Sequence, residues 1–207
     1  MPRFRALKHD IRKWLRREDW SPAQPLPPEL APDAPDDVRQ VDPTSLVGPL
    51  FACLPEGEPL TDRAAAALGG VLAVLRKERP EEAKNVIRRF MWHMNEESGN
   101  IGWGIPEAFG EALAQSRLLA DDFYRVLFSY IRNKEGDNTW CDYAPLRLSC
   151  YRAVERVMAV RPDLRHEALC LLHNAGDDPD PACRALAREL FERYRPAPGE
   201  TAKNTFV

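Results

Sequence analysis

Proline constrains this chain more than any other residue type. Its ring removes a backbone donor and fixes φ, so it interrupts a helix anywhere except in the first turn, where the N–H has no intrahelical partner. Of the nineteen prolines in 207 residues, six (Pro43, Pro80, Pro106, Pro145, Pro162 and Pro181) stand at the head of segments whose apolar residues recur every three or four places. Glu81 and Glu82, Glu107 and Asp163 follow such prolines, where a carboxylate suits the positive end of the helix dipole. No run has the β-branched alternation of a strand. These starts divide residues 42–195 into four helix pairs: 43–54 with 61–78, 81–95 with 106–117, 121–132 with 145–159, and 163–174 with 181–194.

The second helices of the pairs share a loose pattern, "DRAAAALGGVL", "PEAFGEALA", "LRLSCYRAVERV" and "CRALARELF". Arg63, Glu107, Arg147 and Arg184 fall at corresponding places, separated by 44, 40 and 37 residues. A period near 40 residues built from two helices is that of HEAT or armadillo stacking, in which one pair cannot bury its apolar face and several together can. The expected fold is therefore all-α, an α-solenoid of about four HEAT/armadillo-like helical pairs behind an N-terminal amphipathic helix.

That first helix is expected within residues 1–20, where Phe4, Leu7, Ile11 and Trp14 with Leu15 make one apolar face and Arg and Lys the other. Residues 21–41 are so rich in proline that they read as a linker of extended backbone, and 196–207 as a flexible tail. Seven of the 29 Lys/Arg and three of the 32 Asp/Glu lie in residues 1–20, which leaves 22 against 29, net −7, for the rest. An acidic body disfavours nucleic acid as a partner, because phosphate neutralisation needs a basic face. The basic helix is expected to dock on the solenoid as an end cap, with a partner or an anionic membrane surface as alternatives. No run approaches the roughly 18 apolar residues of a membrane span, and the N-terminus lacks an apolar secretory segment, so a cytoplasmic location is expected. Cys53, Cys141, Cys150, Cys170 and Cys183 contain no C-x-x-C pair and suggest neither a disulfide framework nor a zinc knuckle. They read as reduced and mostly as small core residues.

The repeat breaks at "MWHMNEESGNIGWGIPEAFGE", where about ten residues, Asn95 to Gly104, separate two helices that need only a short turn. Gly99, Gly102 and Gly104 permit a tight fold of that loop. A second long turn, "NKEGDNTWCDYA", occupies the equivalent place one repeat later, so stacking should make the two neighbours on one edge. The expected binding residues are Asn95, Glu96, Glu97, Trp103, Asp137, Asn138, Trp140, Asp142 and Tyr143, an acidic and aromatic surface suited to a cationic or amphipathic protein partner. His173, Asn174, Asp177 and Asp178 of the third such turn are expected on the same edge. The competing structural reading is that the tryptophans fold back as lids and the carboxylates cap helices.

Neither a metal, a cofactor nor a catalytic residue is expected. His93 precedes Glu96 and Glu97 at helical spacing, but one such pair supplies too few ligands, and Asp137, Asp142, Cys141 and His173 show no ligand spacing to complete it. Cys141 is expected to be inert, since Asp142 beside it should raise its thiol pKa.

The helix pairs resemble HEAT-like repeats of the type found in phycobilisome-lyase relatives. The stretch from about Pro49 to Arg193 resembles a HEAT-repeat family known mainly from sulfate-reducing and related anaerobic bacteria. The residues that carry this second resemblance are "RRFMWHMNEESGNIGWGIPEAFGE", "SYIRN" and "APLR". It implies an armadillo-type fold and a cytoplasmic location and transfers no activity and no catalytic residue. The lyase relatives place tetrapyrroles on cysteines, and no tetrapyrrole motif is matched. HEAT-like di-iron hydroxylases repeat a His-Glu dipeptide in several helices, whereas His166-Glu167 occurs once. The leading expectation is a non-enzymatic protein-binding or scaffold module using the edge of the 95–104 and 133–143 loops. The alternatives are a metal- or cofactor-binding enzyme or carrier in the same groove and a HEAT-like DNA-repair glycosylase, the last opposed by the acidic body.

Overall fold

The computed structural model describes residues 4–32, 34, 41–95, 101–133 and 138–196. The fold is all-α, and among the described residues there is no β-strand. Its helices are α1 (Phe4–Leu15), α2 (Pro43–Phe51), α3 (Leu60–Glu78), α4 (Pro80–Met94), α5 (Ile105–Gln115), α6 (Arg117–Ser129), α7 (Ala144–Val160), α8 (Arg165–Asn174) and α9 (Pro181–Tyr194). Each expected helix is present. Three helices shift from their expected bounds: α6 spans Arg117–Ser129 rather than 121–132, the run after Pro162 opens as a 3-10 turn, Pro162–Leu164, before α8, and α2 stops at Phe51 ahead of a second such turn, Leu54–Glu56. Pro55 accounts for the early end of α2, because it has no N–H with which to continue the helix.

Proline occupies the first turn of α2, α4, α5, α7 and α9. Acidic or hydroxyl caps complete three starts. The Asp42 carboxylate accepts from the Thr44 amide (2.8 Å), Asp180 from Ala182 and Cys183 (3.0 and 2.9 Å), and the Ser116 hydroxyl from Leu119 (3.3 Å).

The second helices of the pairs pack in succession, α3 on α5, α5 on α7 and α7 on α9, while α2, α4, α6 and α8 pack against them as first helices. The core is one continuous cluster that runs from Leu7 to Leu190. In α5, Ile105, Ala108, Phe109, Ala112 and Leu113 are all buried because α3 covers one side and α7 the other. Gly110 sits at the α5–α7 crossing, where a Cβ would lie 2.8 Å from Ala153 Cα and 2.9 Å from its Cβ. Cross-helix ion pairs follow the same succession: Arg76 and Lys84 reach Asp122 (3.1 and 3.0 Å), Arg156 reaches Glu111 (2.7 Å), and Arg193 reaches Glu155. Exposed pairs of this kind contribute about 0–1 kcal/mol each, so apolar burial carries the stability and the charges favour one register.

Helix α1 lies on α2 and α3, with Leu7, Ile11 and Leu15 buried and Arg12 and Arg16 against Glu56. Phe4 remains largely exposed, with its ring edge over Gly48. The proline-rich stretch that follows is extended around Pro27, yet Leu26 and Leu30 are part of the core cluster, and the Trp20 indole N–H donates to the Pro25 carbonyl (3.2 Å). A chain already stiffened by proline loses little further entropy when two leucines anchor it. Residues 33 and 35–40 of the expected linker, and the expected tail beyond Pro196, lie outside the described residues. Among the described residues no helix is long and apolar enough to cross a membrane.

The Gly110 contact separates backbone crowding from helix propensity. Gly110→Ala should lower stability by about 1–3 kcal/mol in urea melts through overpacking. Gly70→Ala, where the nearest atom to a new Cβ is the Gln115 side-chain oxygen at 3.4 Å, should be neutral or raise stability by up to about 1 kcal/mol. Equal loss at both positions would show that the α5–α7 approach is not tight.

Candidate functional site

The turn from α4 to α5 is closed by glycine. Gly104 has φ +76, and a Cβ there would lie 2.6 Å from the Leu54 carbonyl oxygen, so both conformation and space exclude a side chain. Gly102 lies against the His93 carbonyl, where a Cβ would come within 3.1 Å. Between these two closely packed residues Trp103 turns outward and remains 42% exposed. Its ring stands edge-on to that of Tyr143, with centroids 5.8 Å apart and planes at 71°. Tyr143 is the N-cap of α7 and is 46% exposed. The two long turns are therefore neighbours, joined by an aromatic pair that water still reaches.

Trp140 behaves differently. It is half-buried, with its ring under the Arg147 guanidinium at 4.4 Å, and its shielded indole N–H has no hydrogen-bond partner among the described residues. Of the two tryptophans among the expected binding residues, Trp103 thus faces solvent and Trp140 folds back as a lid. Asn95, which caps the end of α4, is exposed, as are Asn138 and Asp142. Glu96, Glu97 and Asp137 lie outside the described residues.

Among the described residues Arg147 is the largest fully buried side chain, 1% exposed. Its Nε and Nη2 donate to the two carboxylate oxygens of Asp178 (2.9 and 2.8 Å), and Nη1 donates to the carbonyls of Cys141 (2.7 Å) and Asp142 (3.0 Å). The Tyr151 hydroxyl and the Asp180 amide also donate to Asp178, each at 2.9 Å. Burial pushes the Asp178 carboxyl up, but the Arg147, Asp180 and Tyr151 hydrogen bonds outweigh it and leave the group below the ordinary aspartate range. Burial and the same carboxylate push the Tyr151 phenol up. Arg147 therefore ties the α6–α7 turn to the α8–α9 turn. A cavity of about 120 Å³ between those turns is lined by Asn133, Trp140, Tyr151, Asn174, Asp177 and Asp178.

The arginines in register with Arg147 do related work. Arg63 donates to the carbonyls of Leu15 and Arg17 at the end of α1 (2.7 Å each), and Arg184 to those of Asp178 and Pro179. Arg184 holds the turn just before its own helix, as Arg147 does, whereas Arg63 reaches back to the end of α1. Glu107, the carboxylate at the same place in α5, has a buried oxygen with no partner among the described residues, and its turn is closed by glycine packing instead.

His173 is exposed, with its ring packed on Phe191 of α9 at a centroid distance of 5.3 Å. Two expectations are corrected. Asp178 is in the core rather than on the outer edge, because Arg147 draws it in. Cys141 is buried, and its thiol is held below the ordinary range by Cys150, with Arg147 and the Tyr143 backbone helping to outweigh the opposing effect of burial, while Asp142 raises it only slightly. The sequence reading also missed Trp92, 58% exposed beside His93. The signal for it was legible: the buried positions of α4 are Ala83, Ile87 and Phe90, and position 92 is off that stripe. Among the described residues no three His, Cys, Asp or Glu side chains converge as a metal ion requires.

Asp178→Asn removes the negative partner of a buried guanidinium and should cost about 3–5 kcal/mol in urea unfolding. Because the folded-state pKa of Asp178 is lowered, its contribution is complete above the ordinary value of 3.8 and is lost as pH falls through the lower folded value. The Asp178→Asn variant should accordingly lack that portion of the acid destabilisation. An unchanged acid limb would contradict the assignment.

Comparison of the chain with protein-family models, with curated proteins and with solved structures finds no match in any of the three.

Proposed function

We propose that the protein is a non-enzymatic interaction module, a short α-solenoid of HEAT-like helical pairs that binds a protein partner through the edge carrying Trp103 and Tyr143. The solenoid reading is supported by the successive packing of α3, α5, α7 and α9, with a first helix against each, and by arginines that recur in register. The observation that carries the binding reading is the exposed Trp103–Tyr143 pair, two aromatic rings supplied by consecutive turns and held over fixed backbones. Large aromatic side chains that are already ordered lose little entropy on binding and make the usual anchors of protein interfaces.

The rings also indicate what kind of partner suits the edge. Their faces attract cations, Asp142 is exposed beside Tyr143, and residues 21–207 carry a net charge of −7. A cationic or amphipathic protein segment fits this combination. Trp140 supports the surface from beneath by covering Arg147 rather than by touching the partner.

Replacing Trp103 and Tyr143 together by Ala removes surface rather than core, so the helical CD spectrum and melting temperature should remain close to those of the parent. A partner isolated on the parent protein should lose at least about 2 kcal/mol, roughly 30-fold in Kd, on the double variant. Leu118→Ala, an exposed apolar residue at the start of α6, should leave that affinity unchanged. Equal affinity of parent and double variant would overturn the proposal.

A further inference from the structure

Residues 20–32 form a strap along one face of α3. At Pro27 and Ala31 its backbone is extended (φ −64 at both, ψ 154 and 126), on either side of the 3-10 turn Pro28–Leu30. Five of its residues are proline and have no amide to donate. The backbone hydrogen bonds described from Ser21 to Ala34 stay inside the stretch, such as that of Gln24 to the Ser21 carbonyl (3.1 Å) and that of Leu30 to Pro27 (2.9 Å). Side chains attach it instead: Leu26 and Leu30 join the core cluster, and the Trp20 ring meets the Arg63 guanidinium at 5.1 Å. Opposite, Ala66, Ala67, Gly70, Ala73 and Val74 recur at helical spacing and present little bulk, so a backbone can lie close.

The fit is loose. A cavity of about 350 Å³ lies between Gln24, Leu26 and Pro32 of the strap and Ala67, Gly70 and Val74 of α3. Another of about 320 Å³ opens beyond Trp20 and Pro22 toward Glu107 of α5 and Arg152 of α7. A third of about 540 Å³ lies between Pro27 and Leu30 of the strap and Leu7 and Trp14 of α1. Protein interiors are close-packed, and every gap forfeits dispersion contacts. A segment bordered by three such spaces and anchored by two leucines and a tryptophan is held less firmly than the helices beneath it.

We propose that this face of α3 is a binding groove for an extended proline- and leucine-bearing segment of a partner protein, and that residues 20–32 are its built-in occupant, displaced when the partner binds. The occupant shows the chemistry that the groove accepts. Prolines hold a chain extended before it binds, so little entropy is lost. A leucine at the place of Leu26 enters the apolar core, and the small residues of α3 admit the backbone. The unfilled space along α3 leaves room for bulkier side chains than the strap supplies. Because the strap is tethered beside the groove, it competes at an effective concentration on the order of 1 mM and screens out weak ligands. The groove shares no residue with the Trp103–Tyr143 pair, and the proposal does not rest on what that pair binds.

The test uses the full chain and, as probe, a fluorescent peptide with the sequence of residues 19–34. Leu26→Asp combined with Leu30→Asp removes the anchors from the core and should keep the helical CD spectrum. This variant should bind the probe one to one, with a Kd at least about tenfold below that of the parent, whose own strap competes. A probe carrying the same two aspartates should not bind. A benzophenone at the position of Gln24 in the probe should cross-link to residues 64–76 of the variant. A folded variant that ignores the probe, equal affinity for the aspartate probe, or cross-linking only outside α3 would overturn the proposal. Should the variant fail to fold, the parent decides: millimolar probe should speed exchange of the Leu30 amide, which the strap alone bonds, and leave Leu68 of α3 unchanged. Unaltered exchange at Leu30 would count against displacement and overturn it equally.

Discussion

A guanidinium removed from water must find protein acceptors for its donors, and Arg147 finds them in two different turns. Its carbonyl partners belong to the α6–α7 turn and its carboxylate partner to the α8–α9 turn. Such a pair gives little net stability over an apolar substitute, because desolvation offsets most of the attraction. Its consequence is geometric: neither turn can move without leaving a charge unmet in the core. The Trp140 ring packs against the guanidinium, and Tyr151 and the Asp180 amide complete the carboxylate.

The aromatic edge depends on this anchoring from one side and on glycine packing from the other. Gly104 against the Leu54 carbonyl places Trp103, while Arg147 at the Asp142 carbonyl sets the backbone on which Tyr143 begins α7. Two rings that meet across consecutive turns at 5.8 Å are thus positioned by contacts beneath them rather than by each other.

The helices were legible because proline position and apolar spacing are local properties, and the two agree at five of the nine described starts; α6, which no proline heads, begins four residues before its expected bound. The recurrence of Arg63, Arg147 and Arg184 was legible as a register, but not their task, since each hydrogen-bonds carbonyls that only the folded chain brings near. Trp103 and Trp140 looked alike, each a tryptophan in a long polar turn. Contacts distant in sequence separate them: Leu54 lies 50 residues before Gly104, and Asp178 lies 31 after Arg147. Cys141 was misread for the same reason, as its neighbour in the chain, Asp142, matters less than Cys150 nine residues on. Leu26 and Leu30 were hidden by the prolines around them, which leave too sparse an apolar pattern to reveal a face.

Amide hydrogen exchange on Arg147→Met tests the central claim most directly, because methionine fills the core without supplying donors. Two amides report on the two turns: that of Cys141, bonded to the Tyr130 carbonyl, and that of Asp180, bonded to the Asp178 carboxylate. If Arg147 couples the turns, both should exchange faster together while the amides of Leu68 in α3 and Phe109 in α5 keep the rates of the parent protein. Parent-like protection at Cys141 and Asp180 in the variant would contradict the coupling.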